Sequence, residues 1–112
     1  MLIYKIFRRS EWDAFRAAGR TRGAPIDLAD GFIHFSTPAQ VAETAARHFE
    51  GVPDLVLVAC DGDALGPALR WEASRGGALF PHLHRDLTLD DVVWDASLPL
   101  GATGHIFPEG VV

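Results

Sequence analysis

The hydrophobic pattern changes character along the chain. Leu2 to Phe7 alternates strong β formers and predicts an N-terminal strand. Ser10 reads as the cap of a short helix, with Glu11 and Asp13 in its first turn and Gly19 at its end. Trp12, Phe15 and Ala18 form the face that helix would bury. Arg20 to Asp30 reads as a loop punctuated by Gly23, Pro25 and Gly31, and Phe32 to Ser36 as a second strand. Thr37-Pro38-Ala39-Gln40 predicts a helix start, combining an N-cap, proline at the first helical position and Gln40 in capping-box register. That helix runs to Phe49 and ends at Gly51; Val41, Ala45 and Phe49 share one face, with Ala42 and Ala46 beside them.

Strands dominate from there on. Asp54 to Asp61 is apolar on both faces and predicts a central strand. After a turn at Asp61-Gly62-Asp63, a strand is expected around Ala68 to Glu72, a loop at Ser74 to Gly77, and extended chain over Leu79 to His84. Thr88 to Asp91 reads as a turn, Val92 to Ser97 as a strand, and Gly104 to Pro108 as an added edge strand. Two early helices followed by strands predict an α+β domain with a mixed sheet. Leu55, Leu57 and Val58 fall in its core, and the Val41-Ala45-Phe49 face packs on it.

Composition narrows the partners. A chain of 112 residues is expected to form one domain, 1–112. Its net charge of −5 argues against broad nucleic-acid binding, which needs a basic face. The one cysteine, Cys60, allows no disulfide framework and no Cys-based zinc site, and its apolar run predicts a buried, inert thiol. The start, MLIYKIFRRSEW, lacks a signal-peptide core, and no apolar run approaches the ~18 residues of a membrane span. A cytoplasmic location without membrane contact is the expectation.

Three short stretches carry candidate chemistry. In DGFIHFST, Phe32, His34 and Ser36 share one strand face. The strand feeds a helix start at Thr37, where open N–H groups would receive phosphate or carboxylate. The bland alternative is a half-buried histidine bonded to a neighbouring strand, with Thr37 explained by capping alone. In LFPHLHRD, His82 and His84 form an H-x-H pair of the kind that binds metal in small β-barrels. No third ligand follows at useful spacing: Asp86 is too near, Thr88 and Leu89 cannot serve, and nothing requires His105. No metal is therefore expected. In LRWE, Arg70 and Glu72 share a face and Trp71 takes the other; a cross-strand ion pair is the alternative to a ligand site. No G-x-S-x-G elbow, Walker loop or G-x-G-x-x-G is present, and no local signature supports a triad of Ser36, His82 and an aspartate.

Taken in order, G-F-I-H-x-S-T-x-x-Q, R-W-E and F-P-H-L resemble the motifs of the small bacterial family known as domain-of-unknown-function family 952. The resemblance runs from Ile3-Tyr4-Lys5-Ile6 to about Trp94 and rests on Gly31 to His34, Ser36, Thr37, Gln40, Trp71, Glu72 and Phe80 to Leu83. The family's last motif usually continues with Tyr, where this chain has His84. The resemblance implies an ADP-ribosyltransferase-like fold, a split mixed sheet with two helices near the N-terminus. It also implies His34, Glu72 and His82 as catalytic candidates, and Lys5, Ser36, Thr37 and Arg70 as ligand-binding candidates.

Breaking the ribose–nicotinamide bond of NAD needs a carboxylate near developing positive charge, a partner for ribose hydroxyls and a site for pyrophosphate. Glu72, His34 and the Thr37 terminus would supply one each. The implied ligand is nucleotide-like, NAD or an ADP-ribose-type molecule arriving as substrate, with no tightly bound cofactor. A transferase, a non-catalytic ligand-binding or regulatory module, and a metal-dependent small barrel using His82 and His84 all remain open at this point.

Overall fold

The computed structural model describes residues 1–112, apart from the side chain of Arg75. Strand β1 (Leu2–Arg8) leads into helix α1 (Arg9–Ala18), a two-residue strand β2 (Arg20–Thr21), helix α2 (Pro25–Asp30), β3 (Ile33–His34) and helix α3 (Val41–His48). The strands then follow in close succession: β4 (Leu55–Asp61), β5 (Leu69–Ala73), β6 (Leu79–Leu83), β7 (Leu87–Thr88), β8 (Val92–Leu98), β9 (Leu100–Gly101) and β10 (Gly104–His105).

The six apolar positions from Leu55 to Cys60 explain the centre of the molecule. A strand apolar on both faces must be covered on both, and β4 lies between β1 and β8 in a three-stranded sheet. One face of this sheet carries Ile3, Phe7, Val56, Val58 and Cys60, packed with Trp12 and Phe15 of α1 and with Ile33, Phe35 and Leu83. The other carries Tyr4, Ile6, Leu55, Leu57 and Ala59, covered by Val41 and Ala45 of α3. Burial pushes the Cys60 thiol up to about 12, so it is an inert apolar filler.

A second three-stranded sheet, in the order β3-β6-β5, stands against the first core. Among the described residues a single bridge stitches the two sheets, in which Tyr4 and Ser36 exchange two main-chain hydrogen bonds of 2.8 Å. Every ladder among the described residues is antiparallel, which corrects the expected mixed sheet. The sequence pattern could not reveal this, because a strand buried on both faces reads alike in either orientation. Among the described residues the sheets are open and none closes into a barrel.

The helices also depart from the sequence reading. Helix α1 starts at Arg9, so Ser10 lies inside it; the Arg8 N–H donates to Glu11 Oε1 at 2.8 Å instead. Gly19 ends it in the left-handed region, as expected, while Ala18 is exposed.

The expected Arg20–Asp30 loop contains α2. Pro25 begins this helix and Gly31 closes it with a φ of 86°. No apolar stripe announced it, since Ile26 and Leu28 face outward.

Helix α3 begins at Val41 rather than at Pro38. Residues 38–40 form a turn in which Gln40 Oε1 accepts the Thr37 N–H at 3.1 Å and Gln40 Nε2 donates to the Leu79 carbonyl at 2.8 Å. The Gln40 side chain makes the backward bond expected of it in capping-box register, while the Gln40 N–H goes to the Thr37 carbonyl rather than to the Thr37 hydroxyl. No helix among the described residues is long and apolar enough to cross a membrane.

Candidate functional site

Strand register builds the site. His34 stands opposite His82 on the β3–β6 pair, and Arg70 stands opposite His82 on the β5–β6 pair. Directly opposed residues of antiparallel strands share a face, and so do residues two apart. His34, His82, Arg70 and Glu72 therefore project from one face, while Ile33, Leu83 and Leu69 turn into the core. The Phe32 ring sits among three imidazoles, its centroid 4.6, 4.2 and 5.2 Å from those of His34, His82 and His84. His34 and His82 meet edge to face at 5.3 Å.

Two carboxylates organise these rings. Asp27, from α2, is fully buried. Its Oδ2 accepts from Lys5 Nζ at 2.6 Å and from the Ala24 N–H at 2.7 Å. Its Oδ1 faces His34 Nδ1 at 2.6 Å and accepts the His34 main-chain N–H at 3.0 Å. Burial alone would raise its pKa, but the His34 bond and the Lys5 charge outweigh burial and hold the carboxyl below its usual value. Burial pulls Lys5 downward, against the attraction of Asp27 and Glu11. Gly23 makes room for this arrangement: a Cβ there would overlap the Asp27 carboxylate, and its φ of 101° suits only glycine. His34 Nε2 reaches Asp30 Oδ2 at 3.0 Å, so carboxylates bracket the ring.

Glu72, from β5, is the second carboxylate. Its Oε1 faces His82 Nδ1 at 2.9 Å and His84 Nε2 at 2.8 Å. Those two bonds, His84 first, hold its pKa below the usual range. Burial is the main influence on His82 and lowers its pKa; the Glu72 bond only partly offsets this. The engagement of both histidines by one oxygen also bears on metal binding. Among the described residues, no group of three His, Cys, Asp or Glu is arranged to hold an ion.

The structure thus gathers His34, His82, Glu72 and the exposed Arg70 on one face. Lys5 reaches them only from below, through Asp27, and is itself 5 % exposed. Ser36 is buried, with its Oγ 2.8 Å from Thr44 Oγ1. The helix terminus expected to be open at Thr37 has its N–H occupied by Gln40.

Asp27 was missed by the sequence reading. The signal available was its place at the third helical position after Ala24-Pro25, where an acidic side chain reaches back to the cap N–H. A cleft of about 120 Å³ opens beside Phe32 and His84, with Arg22 on its rim. A larger groove of about 660 Å³ runs between α1 and β8 and contains none of the clustered histidines.

An α+β chain built on open antiparallel sheets, with a histidine–carboxylate array on the β3-β6-β5 sheet, is the class that fold and site define. The chain belongs to the family described as "Protein of unknown function (DUF952)", whose model matches residues 6–95. It is similar to protein CC0527 from Caulobacter crescentus. The crystal structure of that protein is 54% identical over 94% of this chain and 92% of the other, with a TM-score of 0.90. Its solution NMR structure is 55% identical over 93% and 90%, with a TM-score of 0.84. No curated protein matches the chain.

Proposed function

We propose that the His34–His82–Glu72 face is the ligand site of a protein organised like the ADP-ribosyltransferases, taking NAD or an ADP-ribose-type ligand. The observation that carries this reading is the convergence of His34, His82, Glu72 and exposed Arg70 on one sheet face. Both hydrogen bonds to Glu72 fall on Oε1, which leaves Oε2 without a partner among the described residues. That oxygen is the group to set against positive charge developing on a ribose as its bond to nicotinamide breaks and the electron pair leaves with nicotinamide. The imidazoles meet ribose hydroxyls, and Arg70 meets phosphate. The small cleft beside Phe32 takes a ring-sized part of the ligand, and the remainder lies across the surface.

A second reading, a binding or regulatory module without turnover, is favoured by one observation. Lys5, Ser36 and the Thr37 N–H already have partners inside the protein, so these ligand-binding candidates serve the fold. The test has two parts. Calorimetric titration with NAD and ADP-ribose compares wild type with Glu72→Gln and His34→Ala. Chromatography of NAD incubated with each follows nicotinamide release. Binding with release, lost in Glu72→Gln, supports the transferase; binding without release supports the module. No binding of either nucleotide ends both nucleotide readings.

A further inference from the structure

One buried side-chain polar atom has no partner among the described residues, and it is His82 Nε2. His82 is 4 % exposed. Orphaned acceptors of this kind are rare, because an unmet hydrogen bond in the interior is costly, and each one needs an explanation.

The other side of the ring decides what Nε2 can be. Nδ1 lies 2.9 Å from Glu72 Oε1, and a carboxylate oxygen only accepts. The ring proton is therefore held at Nδ1, and Nε2 presents a lone pair. A second proton would make the ring a cation in a buried place, next to His34 and with His84 on the same Glu72 oxygen. Burial and these neighbours disfavour that form.

The charges around the cluster belong to Glu72 on the His82 side and, on the His34 side, to Asp30 and to Asp27, whose charge is offset by the buried Lys5 ammonium. They are negative at the centre, whereas Arg70 and Arg22 stand exposed outside it. The Phe32 ring lies over the imidazole at 4.2 Å and 32°.

We propose that His82 Nε2 is the hydrogen-bond acceptor for the ligand, so that the group entering here is an uncharged O–H or N–H donor, such as a sugar hydroxyl, and not a phosphate. The pyrophosphate diester of a nucleotide carries no proton at neutral pH to offer a lone pair and would meet the carboxylates as well; it belongs at the arginines. Phe32, half-buried and preceded by the left-handed Gly31, is the ring that shifts to let the donor reach Nε2. This assignment rests on the ligand-site reading above and adds the chemistry of the group bound at its centre.

Long-range ¹H–¹⁵N spectra of the full chain labelled at histidine read the protonation of each ring nitrogen directly. The expected free state of His82 is Nδ1–H with unprotonated Nε2. ADP-ribose and plain ribose should each shift the Nε2 resonance, and sulfate, an anion with no proton at neutral pH, should leave it in place. His82→Gln should weaken ADP-ribose roughly tenfold or more, the loss of one hydrogen bond to a ligand in a buried site. A proton on Nε2 in the free protein overturns the proposal, and so does an Nε2 shift on adding sulfate. If ADP-ribose binds while Nε2 stays unmoved, the nucleotide reading stands and this one falls. If ribose moves Nε2 but ADP-ribose does not bind, the donor site stands and the nucleotide reading falls. If neither sugar moves it, the proposal is wrong.

Discussion

The two carboxylate–histidine units on either side of Phe32 are built from similar groups and end in opposite states. Asp27 is sealed, with both oxygens bonded to Lys5, to two main-chain N–H groups and to the His34 ring. Glu72 is partly exposed, spends one oxygen on two imidazoles, and leaves His82 with a buried lone pair. A saturated carboxylate holds a fold together, because removing it or its charged partner leaves the other charge uncompensated in a dry place. An unsaturated one leaves capacity for something from outside. The contrast also explains how His34 belongs to both worlds: its Nδ1 is tied to the sealed unit, and its ring faces the open one.

The sharpest way to break the contrast is Asp27→Ala. It strands the Lys5 ammonium in the core and removes the acceptor of four donors, so a loss of about 3–5 kcal/mol is expected in urea unfolding. A loss no larger than that of an ordinary surface substitution would show that the sealed unit is not structural. Gly23→Ala attacks the same unit through the backbone, combining overlap with the Asp27 carboxylate and a φ of 101°. It should cost about 1–3 kcal/mol by the same measurement.

His34→Ala is milder. The main-chain N–H of residue 34 still serves Asp27, so about 1 kcal/mol should be lost, while affinity for ADP-ribose falls roughly tenfold. A large drop in melting temperature with unchanged binding would move His34 wholly to the structural side.

The smallest effect is in pH dependence. The folded pKa of His82 lies below the ordinary 6.5, so on acidification the unfolded chain takes up a proton that the folded ring resists. Stability should decline gently as pH falls below 6.5, and His82→Gln should erase that stage. The folded pKa values of Asp27 and Glu72 lie below the ordinary 3.8 and 4.5. Their contribution is complete above those values and is lost as pH falls through them, giving a second, steeper stage. Urea midpoints of wild type and His82→Gln across this range check both stages.

Much of the scaffold was legible because its signals are local. Six apolar residues in a row mark a strand that must be covered twice, and β4 is central. Gly19 ends α1 because a left-handed residue is needed there. The Val41–Ala45 spacing places α3 on the sheet. The motif residues His34, Glu72 and His82 could also be nominated from strand alternation and family resemblance.

The use each residue is put to could not be read the same way. Helix α2 has caps but no apolar stripe, so it passed as a loop, and its buried Asp27 passed with it. Lys5 and Ser36 look like ligand contacts in a motif, yet Lys5 is taken by Asp27, far along the chain, and Ser36 by Thr44 on α3. Strand direction, the pairing of His34 with His82, and the meeting of Glu72 with His82 and His84 depend on register between separate strands. The sequence by itself determined which faces are apolar, where the longer strands and two of the three α-helices lie, and which polar residues stand on them. Only the tertiary structure decided which of those polar groups satisfy one another and which nitrogen is left over. Hydrogen-bond saturation is a property of atoms brought within about 3 Å by packing, and no local pattern encodes it.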